Sequence, residues 1–103
     1  MDILSLRKLC RSGKIKWKTH CLERMQERDI SISDIMNCID SGEIIEVYPE
    51  DLPYPSCLVF GMSLNGNVLH VVVGTDGNFL YFITAYYPDT IRFEEDLKTR
   101  REK

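Results

Sequence analysis

The sequence lacks three features that mark large classes of protein. No apolar run among its 103 residues approaches the roughly 18 that a membrane-spanning helix needs. Its first residues do not combine a basic region, an apolar stretch and a small-residue cleavage site, so we expect no signal peptide. The four cysteines form no C-x-x-C pair, although zinc sites normally need one close pair of ligands. We therefore expect a cytoplasmic protein with reduced thiols and no membrane contact.

Familiar catalytic motifs are also missing. The sequence contains neither G-x-S-x-G nor H-E-x-x-H, and no close cluster of acids with histidine that would indicate a metal site. Gly74 and Gly77 flank an expected hairpin turn rather than a phosphate loop, because no helix follows them. We therefore expect neither a metal site nor a cofactor.

Charge, in contrast, is abundant and unevenly distributed. Thirteen Lys and Arg oppose 16 Asp and Glu, which gives a formal net charge of -3. Residues 1–28 carry eight of the basic side chains and residues 98–103 carry four, whereas residues 29–97 carry only Arg92 against twelve acids. Such asymmetry indicates a localised anion-binding surface. Proteins that coat nucleic acid non-specifically are instead basic over the whole domain.

The hydrophobic pattern predicts an α+β fold in a single domain, residues 1–103. Apolar spacing and capping signals predict three N-terminal helices at about residues 3–11, 20–28 and 32–41. The period then changes, which predicts strands at about 43–48, 56–64, 68–75 and 79–87. We expect the helices to pack on a twisted antiparallel sheet of three to four strands, followed by a short C-terminal helical tail.

Two hairpin signals, Asn-Gly at 65–66 and Asp-Gly at 76–77, set the expected register of the sheet. If both loops contain two residues, His70 lies opposite Gly61 and Ile83. This register places His70 on the open face of the sheet, and places Phe60 and Tyr86 on the apolar face that packs against the helices. A slip of one residue exchanges the two faces.

The stretch KTHCLERMQERDIS, residues 18–31, contains the most unusual pattern of charge. His20, Arg24 and Arg28 recur every fourth residue, so they share one face of the second helix. Like charges at this spacing, including Glu23 with Glu27, destabilise an isolated helix. We therefore expect the arginines to have partners outside their own helix. Ion pairing with acids of the middle segment and binding of a phosphate both remain open.

Three further side chains are candidates for chemistry. His70 stands mid-strand in VLHVVV and is either a structural histidine of the sheet or, on an open face, a candidate acid or base. Tyr86 and Tyr87 end the last strand, where they either close the core edge or contact a base and a phosphate. The basic stretch at residues 98–101 is most simply solvated surface.

Four segments taken in order resemble a small bacterial family. They are H-x-x-x-R-M-x-x-R-x-I-S at 20–31, G-E-I-I-E-x-Y-P-x-D-x-P-Y-P-S at 42–56, L-H-V-V-V at 69–73 and I-T-x-Y-x-P-D at 83–89. Each segment alone is unspecific, but their order and spacing cover about residues 15–100. The chain resembles a family of domains of unknown function that is similar to the BrnT and RelE-like toxins.

The resemblance implies an α+β toxin of a type II toxin–antitoxin system. It implies a zinc-containing antitoxin of the MqsA (YgiT) type as a partner, and RNA as a substrate, because RelE-like toxins cleave messenger RNA without a metal. In such an enzyme a base and an acid move protons while arginines clamp the phosphate. The expected catalytic residues are His20, Arg24, His70 and Tyr86. The expected contacts to RNA or its phosphates are Lys18, Arg28, Thr84 and Tyr87.

The overall charge favours a second function. RelE-like ribonucleases tend to be basic, whereas this chain has a pI of about 5.3. The acidic middle segment would repel RNA unless it is turned away from the site. A non-catalytic interaction module, which pairs its sheet or an edge strand with a partner protein, therefore stays open beside the RNA-cleaving toxin.

Overall fold

Three helices and a five-stranded sheet form the α+β fold that the sequence predicts. The computed structural model describes residues 1–102. In chain order the elements are α1 Ile3–Arg11, β1 Ile15–Trp17, α2 Thr19–Glu27, α3 Ile32–Ser41, β2 Glu43–Tyr48, β3 Ser56–Met62, β4 Val68–Thr75 and β5 Leu80–Tyr86.

Helices α3 and α2 begin in different ways, and of these two only α3 has a side-chain cap. At the start of α3, the Ser31 hydroxyl accepts from the Asp34 N–H at 3.0 Å, and the Asp34 carboxylate accepts from the Ser31 N–H at 2.9 Å. This capping box satisfies two backbone donors that the helix itself leaves unpaired. Helix α2 begins one residue earlier than predicted, with Lys18 as an N-cap that offers no side-chain hydrogen bond.

The sheet has one more strand than predicted, and it is mixed rather than purely antiparallel. Its order is β1-β5-β4-β3-β2. Strand β1 pairs in parallel with β5, and Ile15 lies opposite Leu80. Three residues, IKW, are too few to show an apolar period, so the sequence pattern does not reveal this strand.

The register between β3 and β4 differs by one residue from the prediction. Ser63 pairs with Asn67 across the turn, with a backbone N···O distance of 2.8 Å, so the loop contains three residues rather than two. Gly66 closes this loop at a φ of 81°, a conformation that favours glycine. His70 therefore lies opposite Phe60, and the predicted pairing with Gly61 is wrong.

A bulge in β5 makes a second difference. Val72 pairs with Thr84 and Val73 pairs with Phe82, which leaves Ile83 as an extra residue in β5. Beyond the bulge, the side chains of β5 point to the opposite faces from those predicted. The loop at residues 76–79 also contains four residues rather than two, because Thr75 pairs with Leu80. Loop and bulge together place Tyr86 opposite His70, and the predicted pairing of His70 with Ile83 is wrong.

The helices cover one face of the sheet and bury the main core there. The largest fully buried core side chains of this layer include Leu6, Ile35, Ile39, Leu69 and Phe82. Helix α3 lies especially close to β3. A Cβ atom built on Gly61 would stand 2.6 Å from the carbonyl oxygen and 2.7 Å from the Sγ atom of Cys38.

The C-terminal segment, residues 88–102, covers part of the other face of the sheet and forms turns rather than the expected helical tail. The Asp89 carboxylate accepts from two backbone N–H groups, and so does that of Asp96. Such bonds favour turns over helix. Phe93 and Arg100 form an isolated β-bridge between the two turns. The Phe93 ring packs edge-on against His70 at a centroid distance of 4.7 Å, and Phe93 is buried.

Two further observations concern the helices and the cysteines. None of the helices within residues 1–102 combines the length and apolar character required to cross a membrane. All four cysteines are free thiols, and three of them are buried. Burial raises the pKa of the Cys38 thiol to about 12.

We predict that Gly61→Ala lowers the free energy of unfolding by about 2–3 kcal/mol, because the added methyl group overpacks the contact between β3 and α3. Urea unfolding measures the change. Met62→Ala is the matched control, since the Met62 side chain is 38% exposed and lies on the opposite face. Equal stability of Gly61→Ala and wild type would contradict the close approach.

Candidate functional site

The ends of α2 and β5 meet the C-terminal segment around a cleft of about 430 Å³. Two tyrosines, one carboxylate and three guanidinium groups line it together with apolar atoms. We define the arginine cleft by the residues Arg28, Tyr86, Tyr87, Asp89, Arg92 and Arg100.

Arg28 reaches the cleft because it directly follows the last residue of α2. Its Nη1 atom donates to the carbonyl oxygen of Ala85 at 2.7 Å, which ties the end of the helix to the edge of β5. A guanidinium carries five N–H donors, so this bond leaves donors available for an anion. Arg28 thus has a partner outside its own helix, as the sequence predicts.

Arg92 and Arg100 come from the C-terminal segment. Arg100 donates to both carboxylate oxygens of Glu46, at 3.2 and 3.0 Å, and its guanidinium lies 4.8 Å from the centroid of the Phe93 ring. Arg92 lies 3.8 Å from the carboxylate of Asp89, and its side chain is 76% exposed. An exposed pair at this distance contributes little stability, so Arg92 can exchange Asp89 for a phosphate at small cost.

The ion pairs also show how the acidic middle segment is compensated. Basic side chains of the C-terminal segment pair with acids of residues 43–94, in the pairs Lys98–Glu43, Arg100–Glu46 and Arg101–Glu94. Three guanidinium groups and one carboxylate, Asp89, line the arginine cleft, and Glu46 pairs with Arg100. The cleft is therefore cationic although the whole chain is acidic.

His70 lies behind Tyr86 and is fully buried. Its Nε2 atom is 2.7 Å from the carbonyl oxygen of Leu97, and its Nδ1 atom is 3.2 Å from the hydroxyl of Tyr86. A carbonyl oxygen only accepts, so Nε2 carries the proton of the neutral ring and Nδ1 accepts from the Tyr86 O–H. His70 can therefore exchange a proton with the cleft only through Tyr86.

Burial determines the charge state of this pair. It lowers the pKa of His70 below the ordinary value of 6.5, against the hydrogen bond to Leu97 and the charge of Glu46, which both raise it. The Arg100 charge lowers the pKa of His70 further. Burial also raises the pKa of Tyr86. At neutral pH the pair is consequently a neutral imidazole and a neutral phenol.

Besides His70, which lies behind Tyr86, four of the predicted site residues lie apart from the cleft lining. His20 is exposed in the first turn of α2, and Arg24 pairs with Glu27 of the same helix at 2.8 Å. The expectation of an external partner is thus wrong for Arg24. Lys18 lies beside another hollow, and Thr84 precedes Tyr86 in β5 without lining the arginine cleft.

Within residues 1–102, no group of three or more His, Cys, Asp or Glu side chains is arranged to hold a metal ion. The polar groups that line the arginine cleft are guanidinium, phenol and carboxylate groups, with the His70 imidazole behind Tyr86.

A family model described as a domain of unknown function, DUF4258, matches residues 17–87. The chain belongs to this family. No curated protein and no solved structure gives a match. The part of the chain matched by DUF4258 contains Arg28, His70, Tyr86 and Tyr87, whereas Arg92 and the rest of the C-terminal segment lie beyond it.

Sequence reasoning missed two arginines of the arginine cleft. Arg92 and Arg100 are eight positions apart, and the turn that brings them together depends on Asp96. The Asp96 carboxylate accepts from the N–H groups of Lys98 and Thr99, each at 2.9 Å. The Asp-x-x-Thr spacing is the local signal for that turn, although it does not reveal which surface the turn covers.

We predict that the DUF4258 protein loses stability as the pH falls from 7.5 to 5.5. In this window the unfolded chain takes up a proton near the ordinary histidine pKa of 6.5, whereas folded His70, with its lowered pKa, resists protonation. Urea unfolding at several pH values measures the slope.

His70→Gln should flatten this pH dependence, and His20→Gln, which changes an exposed imidazole, should keep it. A wild-type stability that is constant across the window, or an unchanged slope in His70→Gln, would show that His70 is not held neutral.

Proposed function

We propose that this DUF4258 protein is an endoribonuclease that cleaves messenger RNA with its own side chains, and that it is the toxin of a toxin–antitoxin pair. One observation carries the enzymatic part. Three arginines surround Tyr86, whose hydroxyl donates to the buried, neutral His70. The resemblance to RelE-like toxins supports the cellular role, with an antitoxin of the MqsA type as the partner.

In this proposal the arginine cleft binds the scissile phosphate. Arg28 and Arg92 contact its non-bridging oxygens, since guanidinium groups match phosphate geometry with paired N–H donors. Negative charge increases on these oxygens as the fifth bond to phosphorus forms. Fixed cationic donors then stabilise the transition state more than the ground state. Tyr87, which is exposed beside the cleft, stacks on a neighbouring base.

Tyr86 and His70 supply the proton transfer. The ribose 2′-oxygen attacks phosphorus, and its proton passes to the oxygen of Tyr86 while the Tyr86 proton passes to Nδ1 of His70. The bond between phosphorus and the 5′-oxygen breaks, and the products are a 2′,3′-cyclic phosphate and a 5′-hydroxyl. The leaving oxygen takes a proton from water, and His70 returns its proton through Tyr86 to the hydroxide. Glu46 and the Leu97 carbonyl favour the transient imidazolium.

The proposal assigns the proton-transfer role to His70 rather than to His20. His20 and Arg24 lie on α2, the helix that Arg28 follows, but outside the cleft lining. In this proposal they contact a longer RNA along α2 rather than the reacting phosphate.

We predict that Tyr86→Phe lowers kcat for cleavage of a synthetic RNA by about 100-fold, because it removes the proton path but keeps the aromatic ring. Arg92→Gln should lower kcat and kcat/KM together, because the Arg92 guanidinium stabilises the transition state more than the ground state. Arg11→Gln, on the exposed surface of α1, should leave both constants unchanged. Cleavage by folded Tyr86→Phe at the wild-type rate would overturn the proposed mechanism.

In growing cells, we predict that induction of the wild type arrests growth and shortens the lifetime of messenger RNA, whereas folded Tyr86→Phe does neither. Growth curves and total messenger RNA measured over time test this. Growth arrest without RNA decay would show that RNA cleavage does not cause the arrest.

The position of β2 favours a second candidate function. This strand lies at the edge of the sheet and pairs with β3 along one side. Within residues 1–102, its other side has no strand partner, so a partner protein could add a strand there. Normal growth and intact RNA, together with recovery of one partner encoded beside this chain, would favour a non-catalytic interaction module.

A further inference from the structure

Strands β1 and β5 carry a second basic surface, which lies towards the opposite end of β5 from the arginine cleft. Lys14, Lys16 and Lys18 alternate along and beside β1, so their side chains share one side of the strand. Three aromatic rings lie next to them. We define the lysine–aromatic surface by the residues Lys14, Lys16, Lys18, Tyr54, Phe79 and Tyr81.

The contacts show that this surface is continuous. The Nζ atoms of Lys16 and Lys14 lie 4.7 and 5.8 Å from the centroid of the Phe79 ring. Lys16 is paired with Tyr81 across the two strands. The Tyr54 ring stacks on Tyr81 with a centroid distance of 5.1 Å and an interplanar angle of 22°.

Lys18 extends the surface, because it lines one small hollow together with Tyr54 and Tyr81. Two acids lie close by, and local donors engage both. Asp51 accepts from the Ser56 hydroxyl, and Asp76 accepts from the Tyr81 hydroxyl and two backbone N–H groups.

The three lysines take part in none of the ion pairs found within residues 1–102. Basic side chains of the C-terminal segment, by contrast, are engaged with acids of the middle segment. The ammonium groups at 14, 16 and 18 therefore remain available for an external anion.

We propose that the lysine–aromatic surface binds single-stranded RNA. Ammonium groups contact successive backbone phosphates, and the Tyr54 ring, which stacks on Tyr81 through one face, receives an unstacked base on its other face. A row of cations beside aromatic rings suits a flexible single strand, whereas the bases of a duplex are already stacked and paired. The choice of RNA over DNA rests on the proposed ribonuclease function.

The distance between this surface and the arginine cleft indicates which class of RNA is the substrate. Tyr81 and Tyr86 lie on the face of the sheet away from the helices, since Tyr81 stacks on Tyr54 and Tyr86 contacts His70. Five residues of strand separate them, or about 17 Å. One single-stranded RNA can therefore occupy the surface and present a phosphate further along the strand to the cleft. Double-stranded RNA is not a substrate in this arrangement.

The test measures binding separately from cleavage. A fluorescent single-stranded RNA of roughly 12 nucleotides, within the usual site size, carries 2′-O-methyl riboses, which remove the attacking hydroxyl. Fluorescence anisotropy of this probe with the full wild-type chain measures Kd at several salt concentrations. An unlabelled duplex of the same sequence serves as competitor.

We predict that Tyr54→Leu weakens binding by about tenfold, because one stacked base loses its ring, while Tyr54→Phe binds like the wild type. The double variant Lys14→Gln/Lys16→Gln should reduce the slope of log K against log salt by about 1.4, from two lost phosphate contacts. The control Arg11→Gln, which removes an exposed charge of α1 beside a different hollow, should leave the slope unchanged.

Competition by the duplex, or equal binding by Tyr54→Leu, Lys14→Gln/Lys16→Gln and the wild type, would overturn the proposal. The two proposals fail separately. If the surface variants bind the probe like the wild type and still cleave unmodified RNA, the ribonuclease proposal holds and the proposal for this surface fails. If binding follows the predicted pattern but the wild type cleaves no RNA, the proposal for this surface holds and the ribonuclease proposal fails.

Discussion

The hydrogen bond between His70 and the carbonyl oxygen of Leu97 is the contact on which the site depends. At 2.7 Å it ties the C-terminal segment to the middle of β4, and the other ring nitrogen of the same imidazole holds Tyr86. Phe93 packs edge-on against the ring and keeps water away. Arg92 and Arg100 reach the cleft only because the segment is held there. One buried side chain thus positions both the tyrosine and two of the three arginines.

That contact requires two irregularities in the sheet. The three-residue loop after Ser63 moves Phe60 onto the face of His70, and the bulge at Ile83 moves Tyr86 onto it. Regular hairpins would have placed both rings under the helices. Bulges often occur beside functional sites because they redirect a side chain without ending the strand. In this chain the bulge turns the Tyr86 side chain away from the core face and towards the buried His70.

Charge is organised by the same folding. The chain is acidic overall, yet the basic C-terminal segment folds back and pairs with acids at 43, 46 and 94. Three cations collect at the arginine cleft, and three lysines beside β1 stay outside these pairs. Net charge therefore describes the average surface, whereas an anionic ligand responds to the local field. An acidic pI is thus compatible with a local surface that binds an anion.

The sequence by itself determined the α+β class, the three helices, the capping box at Ser31 and the antiparallel run of β2 to β5. These features depend on period and on local hydrogen bonds, which act between residues close in the chain. The sequence also indicated Arg28, Tyr86 and Tyr87 as candidate site residues, and all three line the arginine cleft. Only the tertiary structure decided the register of the sheet, the pairing of strand β1, and the packing of the C-terminal segment with its arginines against His70. Those depend on loop length, on one extra residue in a strand and on contacts between distant segments, for which local spacing carries no signal.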